Sequence, residues 1–137
     1  MKVKIPFLLV SIVAVLMLCS IFVQKGRSQI KEARELPYYT ISMDQVQDGT
    51  YTSSSKTSFM HLTLEITVLN HKIEKINIIE NEGSKGLNAA KIIDDMILNN
   101  KPIVPVVKSD ELGSLVFIST ATNALRQGYL ETLNSEQ

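Results

Sequence analysis

Three hydroxyl-bearing residues cluster around one alanine near the C-terminal end of the chain: Ser119, Thr120, Ala121 and Thr122. They open a stretch, Ile118–Leu133, whose apolar residues recur every three or four positions, and this period predicts a helix. Ser119 is predicted as its N-cap, because a serine hydroxyl there accepts a hydrogen bond from an unpaired N–H of the first turn. The free N–H groups and positive dipole end of that turn suit a phosphate. A threonine there could contact a phosphate or be esterified by one, although most such residues are caps and nothing more.

This segment resembles the S-G-A-T signature of FMN-binding domains. That family includes the C subunit of sodium-pumping NADH:quinone oxidoreductase and the G subunit of Rnf complexes. In the family the last threonine of the signature carries FMN through a phosphoester bond that a flavin transferase installs. The resemblance implies that Thr122 is the attachment point and that Ser119, Thr120 and Ala121 belong to the cofactor site. It also implies an electron-transfer module, served by a flavin transferase and by membrane redox partners, rather than a stand-alone enzyme.

A flavin-free relative is the alternative. The family usually has Gly where this chain has Thr120, and Asp where it has Val116. It often has His where this chain has Asn81. These departures favour a membrane-tethered binding or structural module that keeps the fold without the covalent link.

The elements that would position this segment are also visible in the sequence. Asp48-Gly49-Thr50-Tyr51-Thr52 is a turn signal before β-favouring residues, and it resembles the opening of the same domains. Phe59–Leu69 alternates apolar and polar residues, Asn70-His71 supplies a hairpin turn, and Lys72–Glu80 returns as a second strand. The predicted class is α+β: an N-terminal transmembrane helix followed by a small antiparallel sheet packed with two helices.

The remaining segments are predicted from their turn residues and apolar spacing. Ser53–Lys56 and Lys108–Ser114 are predicted loops. Glu82–Gly86 is a glycine-bearing loop that either binds a phosphate or simply makes a tight connection. It leads into an amphipathic helix over Ala89–Ile97.

Composition excludes several functions. The 137 residues carry 14 basic and 14 acidic side chains, so the net charge is zero and does not indicate a nucleic-acid partner. Cys19 is the one cysteine, which rules out an intrachain disulfide. The two histidines, His61 and His71, have no ligand partners at metal-binding spacing in the sequence, so no metal site is predicted.

Ile5–Val23 is an uncharged apolar run of 19 residues, long enough to cross a bilayer of about 30 Å. The predicted organisation is a membrane anchor at 1–24, a juxtamembrane linker at 25–47 and an FMN-binding-like domain at 48–137. Asp48–Leu133 is expected to fold alone. Basic residues after the run outnumber Lys2 and Lys4, which favours a cytoplasmic domain. The short basic N-terminus and the family resemblance favour the opposite. The prediction is a single-pass protein of the cell membrane with its domain extracytoplasmic.

Overall fold

The structure is a computed structural model that describes residues 7–83 and 85–136. Its elements follow in the order α1 (Phe7–Arg34), β1 (Gly49–Lys56), β2 (Met60–Leu69), β3 (Lys72–Gly83), α2 (Ile92–Asn99) and α3 (Glu111–Ser135). Single 3-10 turns precede β1, α2 and α3: Met43–Gln45, Ala89–Lys91 and Lys108–Asp110. Lys2, Lys4, the first two residues of the predicted span and Ser84 lie outside the described residues. The predicted α+β class is confirmed, with a long apolar N-terminal helix, a three-stranded antiparallel sheet and two further helices packed on it.

The central strand β2 owes its form to the alternation of its side chains. Leu62, Leu64, Ile66 and Val68 are at most 2% exposed, whereas the residues between them, such as Glu65, are only partly buried. A strand sends successive side chains to opposite faces, so this pattern places all four apolar residues on the core face. The sheet order is β1-β2-β3, with both neighbours antiparallel to β2.

The hairpin between β2 and β3 turns on two residues, as the sequence predicts. Asn70 and His71 have φ values of 52° and 60°, and two successive positive φ angles are typical of the type I′ turn. The Asp48 carboxylate accepts hydrogen bonds from both backbone N–H groups, at 2.8 and 3.0 Å. These bonds favour the ionised form and hold the pKa of Asp48 below its usual value. Asp48 therefore ties the start of β1 to the hairpin.

β3 does not alternate, because its pairing with β2 contains two register shifts. An extra residue at a bulge changes which face the following side chains take. Ile73 and Ile76 are buried although they are three positions apart, and Ile78 and Ile79 are 39% and 58% exposed. Ile73, Ile76 and Ile78 stand opposite core-facing residues of β2 and share their face, whereas Ile79 has no partner in the register and falls at a shift.

α3 crosses β1 and β2 and supplies much of the core. It approaches the sheet closely at Gly128, where an added Cβ would lie 2.5 Å from the ring and hydroxyl of Tyr51. The Tyr51 hydroxyl donates to the Gln47 carbonyl at 2.7 Å. Burial, and then the nearby Glu131 carboxylate, raise the pKa of Tyr51. Only a residue without a side chain fits α3 against this ring.

α1 has two parts with different surroundings. Its apolar part is exposed along its whole described length, and it is long and apolar enough to cross a membrane, a property that anchors and signal sequences share. Its last turns contact the domain. Ala33 is completely buried, Arg34 lies 3.7 Å from Glu111, and the Glu32 carboxylate accepts from the Ser58 N–H at 2.7 Å.

Residues 25–47, predicted as a linker, pack against the domain over much of their length. α1 continues through them to Arg34, and the 3-10 turn that follows buries Met43. Met43 and Val46 are 6% and 0% exposed within the core cluster. The domain core therefore includes side chains that precede Asp48.

The predicted loop at Ser53–Lys56 is wrong. These residues complete β1, paired with β2 from Ser53 opposite Leu64 to Lys56 opposite His61. Three consecutive serines have little strand preference of their own, so the pairing partner decides their conformation. Ser55 faces the core and is 8% exposed.

Candidate functional site

The helix that carries Ser119–Thr122 begins at Glu111, more than two turns earlier than predicted. Its N-cap is Asp110, whose carboxylate accepts from the Gly113 N–H at 3.0 Å. The predicted cap at Ser119 is therefore wrong, as is the predicted loop over Lys108–Ser114. Ser119 lies in the helix interior, where backbone N–H groups are already bonded within the helix.

The true start of α3 is an anion site that the protein fills with its own carboxylate. Asp110 is 9% exposed, and its second oxygen accepts from the Gly86 N–H at 2.6 Å. Gly86 has a φ of 93°, a conformation that glycine tolerates best. An added Cβ on Gly113 would lie 2.7 Å from both Asp110 carboxylate oxygens. The glycine loop therefore makes a tight connection here, with its N–H directed at Asp110.

All four residues of the S-T-A-T segment are inaccessible to solvent. The Ser119 hydroxyl donates to the Pro37 carbonyl at 2.7 Å, and the Thr122 hydroxyl donates to the Ser119 carbonyl at 2.9 Å. Thr120 Oγ1 lies 2.7 Å from the Val116 carbonyl oxygen and 2.8 Å from the Ser55 hydroxyl. Every hydroxyl of the segment therefore has a partner within the protein.

The structure brings the four predicted site residues together as core residues of one helix. Thr120 contacts β1 through Ser55, whereas Ser119 contacts the segment before the sheet through Pro37. Asn123 strengthens the second contact by donating to the same Pro37 carbonyl at 3.0 Å. Short hydroxyl side chains suit a helix packed on both sides, because they can bond to the preceding turn.

This arrangement does not fit an FMN phosphate at Thr122. A phosphate held there would need free N–H donors or cationic side chains, and a phosphoester would need an accessible hydroxyl. Thr122 is fully buried, its hydroxyl is bonded, and the helix start lies more than two turns away. Thr122 in this packing therefore offers no free hydroxyl to a phosphate.

One buried polar atom has no partner among the described residues: Oδ1 of Asn81. It lies beside Gly86, 3.1 Å from the position that a Cβ on that glycine would take. Asn81 stands opposite Leu62 in the sheet. The site is close to the start of α3 and separate from the hydrogen bonds that hold Ser119 and Thr122.

Three potential metal ligands meet on the sheet, although sequence spacing predicts no metal site. His61 Nδ1 lies 3.4 Å from Glu80 Oε2, and the ligand atoms of His61, Glu80 and Glu82 all lie within 4.8 Å of one another. The residues stand on adjacent antiparallel strands, so their closeness comes from the β2–β3 register. They are half-buried or exposed, and Glu80 is also bonded to Thr63. The trio is thus a contact between half-buried His61 and Glu80, with the exposed carboxylate of Glu82 beside it.

The perturbed pKa values in the described residues also have structural causes. Asp48 and Tyr51 belong to the hairpin and core contacts above, and burial raises the pKa of Tyr38, whose hydroxyl donates to the Ala33 carbonyl. These three shifts accompany contacts that hold the domain together.

Comparison with known proteins found no significant match to any protein-family model, curated protein or solved structure.

Proposed function

We propose that this protein is a membrane-anchored α+β domain that acts as a binding or structural module and carries no flavin on its S-T-A-T segment. One observation carries the proposal: Ser119, Thr120 and Thr122 are completely buried, and each hydroxyl is bonded within the protein. Hydroxyls used in this way contribute to packing. Modification of Thr122 would require α3 to leave the core.

The proposed membrane anchor is α1. An apolar helix of this length with no buried side chain in its apolar part would expose a large hydrophobic surface to water. A bilayer removes that surface from water, and about 20 apolar residues match its thickness. We propose further that the domain lies outside the cytoplasm. Activity of a C-terminal reporter that works only in the cytoplasm would contradict the proposed side of the membrane. It would leave the proposed membrane anchor unaffected.

An electron-transfer module with FMN on Thr122 is the second candidate. Its support is the order of the D-G-T-Y-T strand, hairpin, helix and S-T-A-T helix, which resembles FMN-binding domains. A further observation favours it: Ser119 is covered by Pro37, which precedes the sheet. Withdrawal of that segment would open one side of α3.

Co-expression with a flavin transferase distinguishes the two candidates. We expect the purified chain to be colourless, to lack fluorescence on a denaturing gel and to have its unmodified mass. A mass increment of one FMN that maps to Thr122 and disappears in Thr122→Val would overturn the flavin-free proposal and establish the second candidate. Thr120→Val is the matched control and should leave such an adduct in place.

A further inference from the structure

We propose that one end of the domain rests on anionic lipid head groups of the membrane that α1 crosses. The surface concerned, called the basal face below, is formed by Lys25 of α1 and by Lys85 and Leu87 of the β3–α2 loop. Arg27 lies at the same depth on α1 but lines neither cleft between α1 and the domain. The inference rests on the proposed membrane anchoring and adds a second, polar contact between this protein and the bilayer.

The first step is the depth of α1 in the membrane. The apolar run ends at Val23, and α1 continues without a break to Arg34. A helix rises about 1.5 Å per residue, so Gly26 lies roughly 5 Å beyond the end of the run and Ile30 roughly 10 Å beyond it. The head-group layer on each side of a bilayer is about 5–8 Å thick. Gly26 is therefore at head-group depth.

The second step is that the domain reaches down to this depth. Gly26 and Ile30 line one cleft together with Lys85 and Leu87. A second cleft joins Lys25 to Phe59 and Gly83, at the ends of the neighbouring strands. Two loops of the domain thus lie beside the part of α1 that emerges from the bilayer.

The third step is chemical complementarity. Leu87 projects from the β3–α2 loop with 81% of its surface exposed. Lys25, Arg27 and Lys85 form no ion pair within residues 7–83 and 85–136. A basic surface with a projecting leucine suits the boundary between anionic head groups and acyl chains.

The acidic side chains at this end are mostly engaged within the protein. Glu32 accepts from Ser58, Glu111 pairs with Arg34, and Asp110 caps α3. Glu82 is exposed but lies beside His61. The charges left for an external partner on the basal face are therefore cationic, which favours a lipid phosphate over a cation.

The test measures contact with lipid in the full-length protein, reconstituted in nanodiscs of phosphatidylcholine alone or mixed with phosphatidylglycerol. A bimane probe is placed at Asn88→Cys, next to Leu87, or at Asn99→Cys, both in a Cys19→Ser background. Asn99 is also exposed and lies next to Asn100, whose side chain contacts the hairpin at the other end of the sheet. The 3-10 turn and α2 join the two probe positions and separate them by roughly 18 Å, at about 2.0 and 1.5 Å per residue.

With a nitroxide quencher on the lipid head group, the probe at position 88 should lose most of its fluorescence in anionic discs, and the probe at position 99 should lose none. Lys85→Gln, or a rise in salt to about 1 M, should reduce the loss at 88, because the Debye length then falls to about 3 Å. Equal quenching at positions 88 and 99 would overturn the proposal. Quenching at position 88 that is the same in neutral and anionic discs would also overturn it.

A probe on the native Cys19 separates this failure from failure of the anchor. Cys19 lies in the apolar part of α1, so an acyl-chain quencher should remove its fluorescence. Quenching at Cys19 without quenching at 88 would overturn the basal contact and leave the anchor standing. No quenching at Cys19 would overturn both.

Discussion

α1 and α3 are 28 and 25 residues long, yet α1 buries only Ala33 and α3 buries twelve residues. α1 is the more apolar helix of the two, while the buried part of α3 contains Ser119, Thr120 and Thr122. Hydrophobic composition alone therefore does not tell which helix forms the core. The apolar surface of α1 suits lipid, whereas the small and hydroxyl side chains of α3 let it lie close to the sheet.

The largest effect is expected from removal of the docked end of α1 together with the packed segment that follows it. A fragment covering 48–137 lacks Met43 and Val46, and burial of two such side chains is worth about 3–6 kcal/mol. Domains have only about 5–15 kcal/mol of stability, so this fragment should be largely unfolded by circular dichroism. A fragment covering 25–137 keeps these contacts and should fold. A stable 48–137 fragment would show that the docked end is dispensable.

The next effect comes from the same substitution made in both helices. Leu125→Ala removes a completely buried side chain of α3 and should destabilise the domain by about 2–5 kcal/mol. Leu18→Ala removes a side chain of α1 that is 57% exposed, and it should leave domain stability unchanged. Urea unfolding of the full chain in mild detergent compares the two. Similar losses in both variants would break the contrast between the helices.

Substitution by alanine is expected to change stability in opposite directions at two glycines. Alanine stabilises a helix interior by about 0.5–1 kcal/mol relative to glycine, so Gly26→Ala should stabilise α1, where nothing lies within 4 Å of the new Cβ. Gly128→Ala should instead cost about 1–3 kcal/mol, because its Cβ meets Tyr51. The measured quantities are the helical content of α1 in detergent and the urea midpoint of the domain. A more stable Gly128→Ala domain would show that Tyr51 moves away freely.

Two serines test the hydrogen bonds in the same way. The Ser119 hydroxyl bonds to Pro37 in the domain, and the Ser20 hydroxyl bonds to the Met17 carbonyl within α1. Ser119→Ala should cost about 1 kcal/mol, the usual net value of such a bond. Ser20→Ala should not change the urea midpoint of the domain. If Ser119→Ala also leaves the urea midpoint unchanged, the bond from the Ser119 hydroxyl to Pro37 does not hold the preceding segment in place.

The smallest effect is expected at Asp48, an exposed residue outside both helices. Its folded-state pKa is lowered by the hairpin N–H groups, so its contribution is present above the ordinary aspartate value of 3.8 and is lost as pH falls through the folded pKa. Asp48→Asn should therefore flatten the dependence of the urea midpoint on pH below that value. An unchanged acid profile would mean that the two hairpin bonds do not favour the ionised carboxylate.

The sheet could be predicted because its signals are local. Alternation over Phe59–Leu69 and the Asn70-His71 turn specify β2, the hairpin and the start of β3 without reference to the rest of the chain. Ser53–Lys56 could not be predicted, since its strand depends on β2 as a partner. The unequal exposure of the isoleucines in β3 also required the register shifts to be seen.

The start of α3 was missed although it carries a recognised signal. Asp110 followed by Glu111 is typical of a helix N-terminus, because a capping carboxylate and an acidic first turn both suit the dipole. Ser119 offers a second cap signal nine residues later, and the prediction rested on that one. The contact of Asp110 with Gly86 and the trio of His61, Glu80 and Glu82 join residues distant in sequence, so no spacing rule predicts them.

The unbroken passage of α1 from its apolar part to Arg34 has a consequence for how the domain meets other molecules. With no hinge described between Phe7 and the docked turns at Glu32 and Ala33, rotation of the helix about its own axis turns the domain with it. If α1 anchors the protein in a bilayer as proposed, a partner in that bilayer meets the domain in an orientation fixed relative to the axis of α1. Such a restriction raises the fraction of collisions with a productive orientation.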